Sequence, residues 1–186
     1  MKANNIILTG MSGSGKSTLG VILAKRIGYD FVDTDLLIQQ KYHKLLQEII
    51  DTEGNAEFAR KEEAVLREVG FKRTVISTGG SAVYYEKAME NLKRQGIVVY
   101  LAVPYQEILR RIISPGKRGI LIPEGLTLED VCREREPLYR KYADLILPVA
   151  RERTEETVQR LQQAVEEFVL SFRQAGIDSS NSFLRK

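Results

Sequence analysis

The sequence predicts an α/β fold, a three-layer α/β/α sandwich built on a five-stranded parallel sheet. Three observations carry this expectation. Five short β-rich runs recur along the 186 residues: NIILT (5–9), YDFVD (29–33), TVIST (74–78), IVVYLAV (97–103) and DLILPV (144–149). They are apolar nearly throughout rather than alternating, which is how strands covered on both faces read. Helical patterns fill each interval, and strand–helix–strand alternation implies parallel pairing with helices on both faces of the sheet.

The first run leads directly into Gly10-Met-Ser-Gly-Ser-Gly15-Lys16-Ser17-Thr18. This fits G-x-x-x-x-G-K-[ST] in full, with a strand before it and a helix after it. In such a loop backbone N–H groups wrap phosphates, the lysine reaches the β- and γ-phosphates, and the hydroxyl ligates Mg²⁺. Glycines permit φ > 0 and close approach of the backbone to an anion. The helix starting near Lys16 adds the positive end of its dipole. Gly13, Ser14, Gly15, Lys16, Ser17 and Thr18 are therefore the expected nucleotide contacts, and the expected cofactors are ATP and Mg²⁺.

Helices are expected at about 16–28, 35–51, 56–70, 84–95, 104–113, 127–143 and 154–174. The two or three helices within 35–70 exceed what one crossover needs, so the segment reads as a helical substrate-binding insertion. ISPGKRGILIPEG (113–125) holds two prolines and three glycines and reads as a mobile lid. Residues 1–172 form one expected P-loop kinase domain, and 173–186 a polar tail. The compact length and the insertion favour a kinase that folds over a small acceptor.

The second strand ends in Asp33-Thr34-Asp35. Ligands in open α/β sheets bind beyond the carboxyl ends of the strands. One of these aspartates can face Mg²⁺ and its waters, while the other accepts a hydroxyl proton or hydrogen-bonds the acceptor. Either could instead cap the next helix, and Asp35 could be both cap and ligand. The third strand ends in Gly79 and Gly80, which allow a ligand close to the backbone. The lid carries Lys117 and Arg118, with Arg111 upstream; a mobile arginine can cover the charge of a transferring phosphoryl group. Arg135 precedes Pro137, so a kink or helix junction is expected beside it.

The bulk properties exclude other classes. Net charge is +3 with the charges interspersed, too weak a bias for nucleic acid. The single cysteine, Cys132, permits no internal disulfide and fits a reducing compartment. Cys132 and the only histidine, His43, read as packing and helix-face residues. No signal peptide or membrane span fits. The expectation is a cytoplasmic monomer acting on a small-molecule substrate, with no nucleic-acid or membrane partner.

Taken together, GMSGSGKSTLG, FVDTD, STGGSAV, the lid arginine followed by GIL, and REPLYRKYAD resemble the shikimate kinase family in order and spacing, over roughly residues 4–172. The resemblance implies ATP- and Mg²⁺-dependent phosphorylation of a ring hydroxyl of shikimate, giving shikimate 3-phosphate. By position it implies that Lys16 holds the β/γ-phosphates, Ser17 the Mg²⁺, and Asp33 the Mg²⁺ water shell. Asp35 would act as base on the reacting hydroxyl. Gly79 and Gly80 would line the acceptor site, Arg135 would pair with the acceptor carboxylate, Arg118 would serve as the lid arginine, and Arg111 would pack on adenine.

The departures cluster in the acceptor region. The family pattern G-E-x-x-F-R-x-x-E reads GNAEFARKE here, so the second carboxylate-binding arginine falls on Ala59. Arg60 is the candidate substitute, but one residue along a helix turns a side chain by about 100°, so it serves only if the helix is rotated or bulged. Ser81 replaces the third glycine, Gly119 follows the lid arginine in place of proline, and HKLL (43–46) stands where a glycine is usual. The alternative expectation is therefore a related enzyme acting on a different small hydroxylated acceptor.

Overall fold

The computed structural model describes residues 5–112, 122 and 125–174. In chain order the elements are β1 (Asn5–Thr9), α1 (Lys16–Ile27), β2 (Asp30–Asp33), α2 (Thr34–Tyr42), α3 (Leu46–Glu68) and β3 (Thr74–Ser77). A 3₁₀ turn (Ala82–Tyr84) follows, then α4 (Glu86–Gln95), β4 (Gly96–Ala102), α5 (Tyr105–Arg111), α6 (Leu128–Tyr142), β5 (Leu145–Pro148) and α7 (Thr154–Gln174). The expected lid, with Lys117 and Arg118, and the expected tail beyond Gln174 lie outside the described residues.

The five strands form one sheet in the order β2-β3-β1-β4-β5, and every pairing is parallel. β1 is central: Ile7 is registered with Ile76 on one side and Val98 on the other. The chain builds outward from β1 in both directions, so its carboxyl end is the switch point at which open α/β sheets bind ligands.

Each face of the sheet has its own core. Ile7, Ile76 and Val98 pack with Met89 and Leu92 of α4 and Val131 and Tyr139 of α6. Ile6, Leu8, Val75 and Val99 pack with Leu19 and Leu23 of α1 and Val158 and Leu161 of α7. Burial on both faces explains the unbroken apolar runs. Truncating a fully buried residue such as Ile7 to Ala costs about 2–5 kcal/mol. The α2–α3 insertion carries a third, smaller core of Ile38, Leu46, Ile49, Phe58 and Val65.

The helix boundaries differ from expectation in three places. α2 ends at His43, which adopts a left-handed conformation (φ 53) and is exposed. α3 starts at Leu46 and is interrupted at Gly54 (φ 84, ψ 167), a conformation that favours glycine. Pro137 marks no helix junction: α6 runs through it from Leu128 to Tyr142, close to the expected 127–143. Pro137 is exposed, so water can stand in for the helical hydrogen bond that proline cannot donate. Among the described residues no helix is long and apolar enough to cross a membrane.

Candidate active site

The loop from Gly10 to Lys16 joins β1 to α1 and lines a cleft of about 730 Å³. Gly10, Gly13 and Gly15 take φ values of 142, 81 and 97, which side chains rarely adopt. A Cβ on Gly10 would also lie 2.9 Å from the Leu101 carbonyl oxygen. Gly15 precedes α1 and no side chain caps that helix, which leaves its first N–H groups for a ligand. Ser14 Oγ is buried with no hydrogen-bond partner among the described residues. Open helix N–H groups, an orphaned hydroxyl and a buried lysine fit a polyphosphate.

Lys16 Nζ donates to the carbonyls of Gly10 (2.8 Å) and Met11 (2.9 Å). Burial pushes its pKa down to about 8, while Asp35 and Asp33 act in the opposite sense. Thr18 and Arg111 line the same cleft. Arg111 is paired with Glu107 and directs Nη1 at the Gly13 and Ser14 carbonyls (3.5 and 3.4 Å), so it braces the loop.

Ser17 Oγ donates to Asp33 Oδ2 at 2.6 Å. Asp33 Oδ1 accepts from the Asp35 N–H at 3.0 Å, making Asp33 the N-cap of α2. The capping residue is thus Asp33 and not Asp35, which is the second residue of the helix. Among the described residues no group of three or more His, Cys, Asp or Glu side chains gathers as a metal cage. A hydroxyl beside one carboxylate fits Mg²⁺, which keeps several waters and is shared with substrate phosphates.

Asp35 faces the interior of the same cleft. Its carboxyl is pushed up to about 7, first by burial, then by Glu62 and Asp33, against the pull of Lys16. Glu62, from α3, is fully buried and is also pushed up by its burial. Glu62 Oε1 and Asp35 Oδ1 both crowd the position that a Cβ on Gly79 would occupy, Asp35 at 2.9 Å. A Cβ on Gly80 would meet Ser12 Oγ at 3.0 Å and Arg135 Nη1 at 3.3 Å. The two glycines are required because loop, carboxylates and arginine converge on that backbone.

Arg135 is 1% exposed. It lies in the buried stripe Val131–Arg135–Tyr139 of α6. Its Nε donates to Tyr84 Oη at 3.2 Å and its guanidinium lies over the Tyr84 ring, 5.1 Å from the centroid. Tyr139 Oη donates to the Gly80 carbonyl at 2.6 Å and ties α6 to the end of β3.

Arg60 is not brought to this group. Its side chain is 77% exposed and pairs with Glu57 one turn earlier on α3. The helix is broken at Gly54, but from there through Glu68 it continues in register, so no rotation turns Arg60 inward. Arg60 therefore lies on the exposed face of α3, away from the cleft, and Ala59 leaves its position without charge. Glu62 and Tyr84 were not anticipated as site residues. The signal for Glu62 was a carboxylate in the otherwise apolar stripe Phe58–Glu62–Val65–Leu66; nothing in the sequence distinguished Tyr84. Cys132 packs partly buried against the α6 core, as expected.

A glycine loop fit for polyphosphate at the switch point, a hydroxyl–carboxylate pair fit for Mg²⁺, and a carboxylate and an arginine packed against adjacent glycines are the parts of a P-loop kinase for a small acceptor. The shikimate kinase family model matches residues 12–166. The shikimate kinase of Nitrosomonas europaea is 35% identical over 175 residues, covering 92% of this chain and 83% of that protein. The shikimate kinase of Synechococcus elongatus is 37% identical over 165 residues, covering 87% and 86%. The solved structure of shikimate kinase from Acinetobacter baumannii in complex with shikimate superposes with a TM-score of 0.81 at 34% identity, covering 91% of this chain and 94% of that one. The chain belongs to the shikimate kinase family.

Proposed function

We propose that this protein transfers the γ-phosphoryl group of ATP to a ring hydroxyl of shikimate, giving shikimate 3-phosphate and ADP. The observation that carries the reading is the placement of Asp35 against Gly79 and of Arg135 against Gly80, with Asp35, Gly80 and Lys16 lining the same phosphate cleft. It puts a base, a phosphate anchor and a carboxylate anchor around one small volume, and family membership supplies the acceptor.

The open N–H groups of α1 and the Lys16 ammonium hold the phosphates, whose charge keeps that lysine protonated despite its burial. Ser17 and Asp33 would hold Mg²⁺, which when bound would supply neutralisation of phosphate charge. Arg135 receives the shikimate carboxylate, oriented by Tyr84. Asp35 accepts the proton of the attacking hydroxyl as its oxygen bonds to the γ-phosphorus and the bond to the β-bridging oxygen breaks. A carboxyl near 7 suits that task, since it ionises close to neutral pH yet is a stronger base than an exposed aspartate. Arg118 is the proposed lid arginine, on its sequence position alone, and a cytoplasmic monomer is the proposed setting.

Ala59 leaves the acceptor carboxylate one arginine rather than two. The expected consequence is a raised KM for shikimate with the reaction unchanged, because about 1.5–3 kcal/mol per hydrogen bond to a charged group is forgone. A coupled assay of ADP release tests the reading. Shikimate-dependent turnover above the background ATPase supports it, and its absence at millimolar shikimate overturns it.

A further inference from the structure

Glu62 sits fully buried in the stripe of α3 that is otherwise apolar. A carboxylate in such a place is costly unless it is hydrogen-bonded. Two hydroxyls meet it, both on Oε2: Ser81 Oγ at 2.6 Å and Tyr85 Oη at 2.9 Å. The donors flank the 3₁₀ turn, whose bonds from Tyr84 N to Ser81 O (3.0 Å) and Tyr85 N to Ala82 O (3.1 Å) fix their spacing. Burial and the neighbouring Glu62 hold Tyr85 protonated, so it stays a donor.

The other oxygen is different. Glu62 Oε1 is buried with no hydrogen-bond partner among the described residues. It lies against Gly79 beside Asp35 Oδ1, where the acceptor hydroxyls are proposed to bind. A buried acceptor atom left open at the edge of a cleft calls for a donor from outside the protein. A vicinal diol supplies one: one hydroxyl reaches Asp35 and its neighbour reaches Glu62.

We propose that Ser81 and Tyr85 are positioning residues for the acceptor, locking Glu62 through Oε2 so that Oε1 receives the hydroxyl next to the one that is phosphorylated. The specificity this gives is for a diol. It rests on the shikimate reading above.

A double-mutant cycle tests it. Steady-state kinetics are measured for Ser81→Ala and Tyr85→Phe, each in the wild-type and the Glu62→Gln background. The expected result is an acceptor KM raised about tenfold or more by each change, with the ATP KM held within about twofold. In the Glu62→Gln background these penalties vanish, because both hydroxyls act through Glu62. Ser81→Thr, which keeps the hydroxyl, retains the wild-type acceptor KM. An unchanged acceptor KM, an equal rise in the ATP KM, or penalties that persist in full in Glu62→Gln overturn the proposal. The wild type is run first: if shikimate is inert, the earlier reading falls, and the same cycle is then decided on whichever hydroxylated acid the wild type phosphorylates.

Discussion

Asp35 of α2 and Glu62 of α3 meet at Gly79: one oxygen of each carboxylate crowds the place that a Cβ there would take. Two acids from different helices thus share one patch of backbone at the end of β3. Their mutual repulsion adds to burial in raising the Asp35 pKa.

Gly79→Ala drives a methyl group into both carboxylates. Overpacking of this kind costs about 1–3 kcal/mol, which for a chain of this size lowers the melting temperature by about 2–4 °C per kcal/mol. Thermal denaturation checks the stability loss. The acceptor KM should rise in parallel, with ATP binding by isothermal calorimetry retained.

Asp35 carries a raised pKa of about 7, so the folded protein binds that proton more tightly than the unfolded chain does. Its contribution to stability is fully present below the unfolded value of about 3.9 and is lost as pH rises through about 7. Melts of the nucleotide-free protein from pH 4 to 8 should therefore decline more steeply for the wild type than for Asp35→Asn. Activity runs the other way, because the base must be ionised: kcat/KM for the acceptor should climb with pH toward an apparent pKa near 7. Asp35→Asn should abolish turnover and spare ATP binding.

Ala59 and Arg60 separate two explanations of the altered acceptor region. Ala59→Arg restores a guanidinium one turn before Glu62 and should lower the KM for shikimate about tenfold or more, through charge-assisted bonds to its carboxylate. Arg60→Ala removes only an exposed ion pair; it should change stability by less than about 1 kcal/mol and leave the KM unaltered. Initial-rate measurements at saturating ATP distinguish the two.

Arg135→Lys keeps the charge but loses the planar fork and the stacking on Tyr84. The acceptor KM should rise by about tenfold or more while the ATP KM stays near the wild-type value. A variant whose acceptor KM is unchanged would remove Arg135 from the acceptor site.

Much of this was legible in the sequence where local chemistry is decisive. The glycine loop, the five buried strands and the Asp33–Asp35 pair follow from spacing and residue type alone. Helix joints were less legible, because His43 and Gly54 end helical segments through single left-handed conformations. Pro137 makes no junction because an exposed proline can be carried within a helix. The direction of Arg60 required the register of α3, fixed by the burial of Phe58 and Glu62. The hydroxyl pair on Glu62 was invisible for another reason: Ser81 and Tyr85 reach it across 19 and 23 residues of chain, a tertiary contact that no periodicity encodes.

The central claim is that the phosphate leaves ATP for a hydroxyl of shikimate. Phosphorus NMR of a reaction containing the protein, ATP, Mg²⁺ and shikimate reads this directly. A new phosphomonoester resonance growing in step with ADP, and absent with Asp35→Asn, is the predicted result. ADP accompanied only by inorganic phosphate, or no ADP beyond the shikimate-free control, would contradict it.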